Sequence, residues 1–180
     1  MRKLFILAIM VTVSMFTAHA QTGFRAGVHG AIPGGETDIE GSGQDVSDAY
    51  SLNLGADFSY FIGEEDLLYG GVISYSRFLG DDITQSGFGQ TVTAEVDDIS
   101  YIEIKAAGEY NFSDLFYGGV NLGYAFQAEE GDNEDDLDGG LLWMPKVGVR
   151  LEQFNIYGYY KSIEDEITIA TYGLGVSYNF

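Results

Sequence analysis

The chain has 180 residues, with 8 Lys and Arg against 28 Asp and Glu, and a net charge of −20. Such an acidic surface repels nucleic-acid phosphates, so no nucleic-acid partner is expected. Because there is no cysteine, disulfides and lipid attachment to cysteine are excluded. The 13 Tyr, 12 Phe and 25 Gly against 2 Pro favour β-strands and membrane interfaces over an ordinary acidic soluble protein.

The first twenty residues differ from the rest of the chain. Arg2 and Lys3 precede a nearly apolar run over residues 4–16, and Ala18-His19-Ala20 has the small residues of a cleavage site. This pattern predicts a signal peptide at residues 1–20 and a mature domain at residues 21–180. A membrane anchor is the alternative, but the run is shorter than the roughly 20 residues that span a bilayer. Cleavage leaves 6 basic and 28 acidic residues, a net charge of −22.

The mature chain alternates apolar and polar residues with a period of two, which predicts strands. In the last segment, for example, apolar and aromatic residues take every second position from Ala170 to Phe180. No apolar run here approaches a spanning helix, so a chain that crosses a membrane must do so as a closed barrel. A soluble β-sandwich is the alternative. We predict eight strands, at residues 24–32, 50–61, 67–78, 99–112, 115–126, 141–151, 154–162 and 167–180.

The connections between these segments alternate in length. Those at residues 63–66, 113–114 and 152–153 are tight, whereas residues 33–49, 79–98 and 127–140 form long stretches rich in Gly, Asp, Glu and Ser. Short turns at one end and long loops at the other are typical of outer-membrane barrels. The prediction is therefore an all-β protein, an eight-stranded antiparallel transmembrane β-barrel with an up-and-down meander. Pro145 falls inside the sixth segment and suggests a bulge.

Charged residues inside the predicted strands share the polar face of their segments. An Arg or Lys that faced the lipid at the bilayer midplane would destabilise the barrel by roughly 2–4 kcal/mol. We therefore expect these charged groups to face the lumen. An eight-stranded barrel is just wide enough for its side chains to fill it, which favours a salt-bridged plug over a polar channel. The predicted lumen polar network is Arg25, His29, Asp57, Glu103, Lys105, Glu109, Lys146, Arg150 and Lys161.

Signals for enzymatic or metal chemistry are weak. The mature chain has one histidine, His29, which could serve a lipid-modifying enzyme with Ser51, Ser59 or Asp57; interior polar packing is the simpler interpretation. Residues 129–140 hold seven carboxylates, but their spacing does not fit an EF-hand calcium loop, so a solvated acidic loop is favoured. No catalytic residue, metal site or cofactor is predicted, and we expect the chain not to be an enzyme.

Aromatic residues near the segment ends predict two girdles at the membrane interfaces. The residues assigned to them are Tyr50, Tyr60, Phe61, Phe78, Tyr110, Phe112, Phe116, Phe126, Trp143, Phe154, Tyr178 and Phe180.

The whole pattern resembles a known family. The leader, the eight segments, the strand "YIEIKAAGEYNF" and the terminal "YGLGVSYNF" resemble the small outer-membrane β-barrel domain family of Gram-negative bacteria, the OmpA/OmpX-like "porin family" group. The resemblance implies that the barrel assembly machinery reads the final strand, whose aromatic signal would be Tyr172, Tyr178 and Phe180. It also implies a cell outer-membrane location with periplasmic termini.

These features predict a structural or surface-interaction (adhesion) role in the envelope. The expected partners are outer-membrane lipid and lipopolysaccharide, the barrel assembly machinery and an extracellular partner of the acidic loops, and a monomer is expected. A narrow pore for small solutes is the alternative, suggested by the small residues along the last strand.

Overall fold

A computed structural model shows a closed barrel of eight antiparallel strands and a separate two-stranded hairpin. It describes residues 22–34, 50–64, 66–81, 83–87, 90–94, 96–128, 139–164 and 168–180, so the predicted signal peptide and most of the acidic segment 129–140 lie outside the described residues. The strands are β1 Gly23–Pro33, β2 Tyr50–Glu64, β3 Leu67–Gly80, β4 Ile83–Gly87, β5 Gln90–Ala94, β6 Ile99–Asn111, β7 Phe116–Gln127, β8 Gly139–Leu151, β9 Phe154–Glu164 and β10 Ile169–Asn179.

The fold class predicted from the sequence is confirmed. The eight predicted segments correspond to β1–β3 and β6–β10, each barrel strand pairs with the next along the chain, and β1 pairs with β10 to close the ring. The hairpin β4–β5 was not predicted, since residues 79–98 were expected to be a loop. Its strands have five residues each and are mostly Thr, Gln and Ser, so they carry little hydrophobic alternation to detect. No helix within the described ranges is long and apolar enough to cross a bilayer.

The pairing register fixes the width of the barrel. A line of paired residues followed once around the ring returns to β1 ten residues further along. The line passes through Phe24, Tyr60, Gly71, Ala106, Leu122, Trp143, Ser162 and Ala170, whose carbonyl accepts a hydrogen bond from the Gly34 amide. This stagger tilts the strands, roughly 35–45° in barrels of this kind, and leaves an interior that side chains can fill.

The barrel is apolar outside and polar inside. Large apolar side chains point outward from every barrel strand, and Leu174 is the most exposed at 70%. The lumen holds buried charged groups, including Arg25, Glu103 and Glu109. Further outward apolar residues are Val28, Ile32, Leu54, Phe58, Ile73, Ile104, Leu122, Leu141 and Val147. A water-soluble barrel would show the opposite distribution.

Two strands, β3 and β9, carry aromatic residues whose faces the structure assigns. In β3, Tyr69, Ile73 and Tyr75 are exposed while alternate residues are buried, so these three residues face outward. In β9, the tyrosines at 157 and 159 point inward and Tyr160 lies on the outer face, where its ring contacts Trp143. The aromatic residues of β9 therefore line the lumen on one face of the strand and the outer surface of the barrel on the other.

Pro145 does not create a bulge. The register between β8 and β9 is the same on both sides of it, with Trp143 opposite Ser162 and Lys146 opposite Tyr159. On its other side, Pro145 pairs with Val120 of β7. The prediction of a bulge was wrong because the missing N–H removes local pairing without inserting an extra residue.

Two of the predicted girdle residues lie inside the barrel. Phe61 is 1% exposed and Phe78 is 0% exposed. Phe61 shares the inward face of Ser59, and β2 and β3 continue beyond both residues, so neither lies at a strand end. Tyr50 packs against Phe78 with ring centroids 5.9 Å apart.

Candidate functional site: the charged lumen

A single carboxylate near the short-turn end of the lumen binds three cations. Arg25 reaches Glu109 from β1, and Lys146 and Arg150 reach it from β8, at N–O distances of 2.8, 2.8 and 2.9 Å. We call these four residues the Glu109 cluster. Arg25 Nη1 donates to both carboxylate oxygens, so Glu109 accepts four hydrogen bonds in all.

A second group lies towards the long-loop end, around Glu103. Lys105 and Lys161 donate to different oxygens of its carboxylate, at 2.6 and 2.8 Å. Ser76 Oγ donates to Glu103 at 2.7 Å, and Lys161 also reaches Asn53 Oδ1 at 3.2 Å. Burial of two cations with one carboxylate and these hydroxyl and amide partners keeps each charge paired, as a low-dielectric interior requires.

Asp57 lies between these two groups and binds His29. The His29 Nδ1 is 2.9 Å from Asp57 Oδ2, and Tyr157 donates its phenol to the same oxygen at 3.0 Å. Ser74 donates to the other oxygen, and Lys105 lies 3.6 Å from it. Asp57 is thus shared by strands β2, β1, β3, β6 and β9, and it ties opposite walls of the barrel together.

Aromatic rings stack on the cations of the lumen. The Arg25 guanidinium lies 4.0 Å from the centroid of the Phe61 ring, and Arg150 lies 4.8 Å from that of Tyr117. Lys161 Nζ lies 5.3 Å from the Phe78 centroid. Such cation–π contacts contribute roughly 0.5–2 kcal/mol each, more when desolvated.

Apolar side chains close the long-loop end of the lumen. They form a buried cluster inside the ends of the strands, and Lys161 contacts it through Phe78. Its members at that end are Ala31, Phe78, Tyr101, Ala125, Leu142, Ile163 and Ile169. This layer separates the ion pairs from the long-loop side and keeps them out of water.

Tyrosine rings fill the space that glycines leave along the last strand. A Cβ at Gly175 would lie 2.3 Å from Tyr157 Cζ, and one at Gly173 would lie 2.4 Å from Tyr159 Cζ. The small residues that suggested a pore are therefore covered by the rings of β9. The interior contains a cavity of about 20 Å³, which is room for about one water molecule.

All nine predicted lumen residues lie inside the barrel, in these three connected groups. The three residues of the predicted assembly signal lie on the outer surface, where Tyr172 contacts Tyr160 and the Tyr178 ring contacts Phe180. Sequence reasoning missed the neutral members of the network. They are Asn53, Ser74, Ser76, Tyr117, Tyr157 and Tyr159. The period-two alternation of these residues with outward-facing residues could have placed them on the inner face of the barrel.

The serines named with His29 do not join it. Ser51 is exposed and donates to the Leu79 carbonyl at 3.4 Å, and Ser59 lines the cavity, whereas Ser74 is the serine bound to Asp57. His29 is 6% exposed, faces the lumen, and its Nε2 has no hydrogen-bond partner among the described residues. Within those residues no three His, Asp or Glu side chains are grouped as metal ligands.

An ion pair between two described residues lies on the outside, at the rim. Arg77 contacts Asp98 at 2.7 Å, and the Gly80 amide donates to the other Asp98 oxygen at 2.9 Å. The Gly80 N–H and Arg77 together lower the pKa of Asp98 below its ordinary value. The pair joins the end of β3 to the start of β6 at the base of the β4–β5 hairpin.

Comparisons with known proteins give structural matches only. No protein-family model and no curated protein matches the sequence. The outer membrane protein Ail of Yersinia pestis in a phospholipid nanodisc matches with a TM-score of 0.49 and 15% identity, over 88% of this chain and 99% of that one. Ail in complex with the heparin analogue sucrose octasulfate gives 0.45 and 16%, over 88% and 97%. Neisserial surface protein A gives 0.49 and 14%, over 88% and 98%. The barrel is established by this chain's own strand pairing.

Proposed function

We propose that this chain is an integral outer-membrane barrel with a closed, charged lumen, acting in envelope structure or in surface adhesion. The observation that carries the proposal is the inverted distribution of side chains. Apolar residues cover the outside of every barrel strand, while most charged residues of the strands lie in the lumen and are paired there. In water, such a continuous apolar exterior would cause aggregation, whereas in a bilayer it is the required surface.

Aromatic contacts at two levels support the membrane assignment. Near the short turns, Phe154 contacts Tyr178 edge to face, with ring centroids 5.3 Å apart, and the tilted rings of Phe24 and Tyr60 lie 4.7 Å apart. Towards the long loops, Trp143 contacts Tyr160 at 5.0 Å. Tyr and Trp at two levels suit the two interfaces of a bilayer, with lipid and lipopolysaccharide as neighbours.

The orientation that we propose places the short turns in the periplasm. Export would use the signal peptide at residues 1–20, and the barrel assembly machinery would read the outward aromatic face of Tyr172, Tyr178 and Phe180. Replacing Phe180 with Ser should reduce outer-membrane levels in cells more than it reduces the stability of refolded protein. Wild-type levels of this variant would contradict an assembly role.

Adhesion would use the long-loop end, where β7 ends and β8 begins on either side of the acidic residues 129–138 in the sequence. The test compares cells lacking the gene with cells that express either the wild-type chain or one whose residues 129–138 are replaced by a Gly-Ser segment of equal length. If the loops bind a host surface, the substituted chain will lose binding while keeping the detergent resistance of the envelope. If cells lacking the gene keep both host-surface binding and detergent resistance, both proposed roles are contradicted.

The filled lumen supports a structural plug over a pore. In planar bilayers we expect no steady unitary conductance from the wild-type protein, because ion pairs and tyrosine rings occupy the lumen and the cavity lined by Arg25 and Lys146 has a volume of about 20 Å³. If purified protein gives reproducible conductance steps that a mock preparation does not give, the lumen is a narrow channel and not a plug.

A further inference from the structure

The lumen cavity of about 20 Å³ has a lining of mixed polarity. Lys146 and Tyr157 bring N–H and O–H groups to its wall, and the carboxylates of Glu109 and Asp57 bring hydrogen-bond acceptors. The two carboxylates disfavour an anion in this space, and the cations Arg25 and Lys146 disfavour a metal ion. The lining therefore favours a neutral occupant that both donates and accepts hydrogen bonds.

Asn121 contributes an unused acceptor to this wall. Its side chain lines the cavity and is buried, with 3% exposure, and its Oδ1 has no hydrogen-bond partner among the described residues. Its Nδ2 lies 3.8 Å from Met144 Sδ, so the amide nitrogen already has a weak acceptor. Because a buried acceptor without a donor destabilises the native state, we expect a donor to reach Asn121 Oδ1.

The pairing register places Asn121 beside the ion pair of Glu109 and Lys146. On β7, Gly119 lies between Lys146 of β8 and Glu109 of β6. The two charged side chains meet over this glycine, where a Cβ would lie 3.1 Å from Glu109 Cγ. Asn121 is the next inward residue of β7, so it is a diagonal neighbour of both. Diagonal neighbours lie roughly 7–8 Å apart, so their side-chain ends can share one small bridging molecule.

Lys146 and Tyr157 have hydrogen-bonding capacity left for such a molecule. A lysine Nζ has three N–H groups, and the described contacts of Lys146 use one of them, which donates to Glu109 Oε1 at 2.8 Å. The Tyr157 phenol donates its proton to Asp57, and its oxygen keeps a lone pair that can accept. Together with Asn121 Oδ1, these groups offer one donor and two acceptors around the cavity.

We propose that the cavity binds one water molecule, which accepts a hydrogen bond from Lys146 and donates to Asn121 Oδ1 and to the Tyr157 oxygen. The volume of about 20 Å³ is room for about one water molecule, and buried waters typically make about three hydrogen bonds. Through Tyr157 the water links the Glu109 cluster to Asp57. This site depends on the barrel interior and not on the envelope or adhesion role.

Crystals of the full barrel in detergent, grown in sodium bromide, identify the occupant. We expect one ordered peak within hydrogen-bond distance of Asn121 Oδ1 and Lys146 Nζ. It should give no anomalous signal, because water, unlike bromide, does not scatter anomalously. An anomalous peak would mean that the site takes a halide, and a cavity without density would be dry. Either result would overturn the proposal.

Nuclear magnetic resonance of the refolded barrel in detergent micelles tests the same site in solution. With isotope-labelled asparagine side chains, the Asn121 amide protons should show cross-relaxation with a long-lived water. Asn53 is the control in the same lumen, because its Nδ2 donates to the Arg77 carbonyl and its Oδ1 accepts from Lys161, both at 3.2 Å. No water signal at Asn121, or equal signals at Asn121 and Asn53, would contradict a specific water site.

Discussion

Arg25 and Glu109, which are 84 positions apart in the sequence, are joined through one guanidinium nitrogen that lies 2.8 and 3.0 Å from the two carboxylate oxygens. Arg25 lies on β1 and Glu109 on β6, and these strands are not neighbours in the ring. The contact therefore crosses the lumen. It shows how a narrow barrel can use charged side chains as the core that links its walls.

The first prediction concerns the carboxylate of this cluster. Glu109→Gln should lower the free energy of unfolding by about 3–5 kcal/mol, because three buried cations lose their common countercharge. Urea titration in detergent micelles measures the change. Glu152→Gln, in the exposed turn between β8 and β9, is the matched control and should have little effect. Equal losses in the two variants would show that the cluster does not stabilise the fold.

A second prediction tests whether tyrosine rings fill the lumen. Gly175→Ala places a Cβ 2.3 Å from Tyr157 Cζ, so the ring must move away from its hydrogen bond to Asp57. Overpacking of this kind costs roughly 1–3 kcal/mol. Gly108→Ala is the control, since its Cβ would meet nothing within 4 Å. If both variants unfold at the wild-type urea concentration, the proposed packing over β10 is wrong.

The lipid-modifying alternative predicts a chemical phenotype for His29. We expect that His29→Ala leaves lipid A identical to that of wild-type cells by mass spectrometry, because the imidazole is buried in the lumen and held by Asp57. The variant should lose some stability, because the Asp57 carboxylate loses one of its four partners. A change in the lipid A mass profile, restored by wild-type expression, would make His29 a catalytic candidate after all.

The rim pair predicts a pH effect at the base of the hairpin. The pKa of Asp98 is lowered in the folded protein, so its contribution to stability is present above the unfolded pKa and is lost as pH falls through the folded value. Limited proteolysis within residues 81–98 should therefore increase at acid pH in the wild type. Asp98→Asn should be cut at neutral pH about as readily as the wild type is at acid pH. A pH-independent cleavage rate in the wild type would contradict this account.

The sequence predicts the strands well because each barrel strand has one face towards the apolar surroundings and one towards the polar interior. The period-two pattern follows directly from that environment, and the alternation places Glu103, Lys105 and Glu109 on one face of β6. The girdle assignments of Phe61 and Phe78 failed because position near a predicted segment end was given more weight than face.

The partners within the lumen could not be read from the sequence. Whether Arg25 contacts Glu109 or Glu103 depends on the position of each residue along the barrel axis. This position is set by the pairing registers of all the strands between them. An error of one residue in any register would turn the side chains of that strand to the other face. The β4–β5 hairpin escaped prediction for a different reason, since its two short, mostly polar segments show little apolar alternation in the sequence.

Heat modifiability shows whether the chain forms a closed barrel in the outer membrane. Outer membranes are separated from the soluble fraction and analysed on a detergent gel with and without boiling. We predict that the protein is in the outer-membrane fraction and that its band shifts on boiling, because the closed, ion-paired barrel resists detergent until heated. A soluble periplasmic protein whose band does not shift would contradict the account.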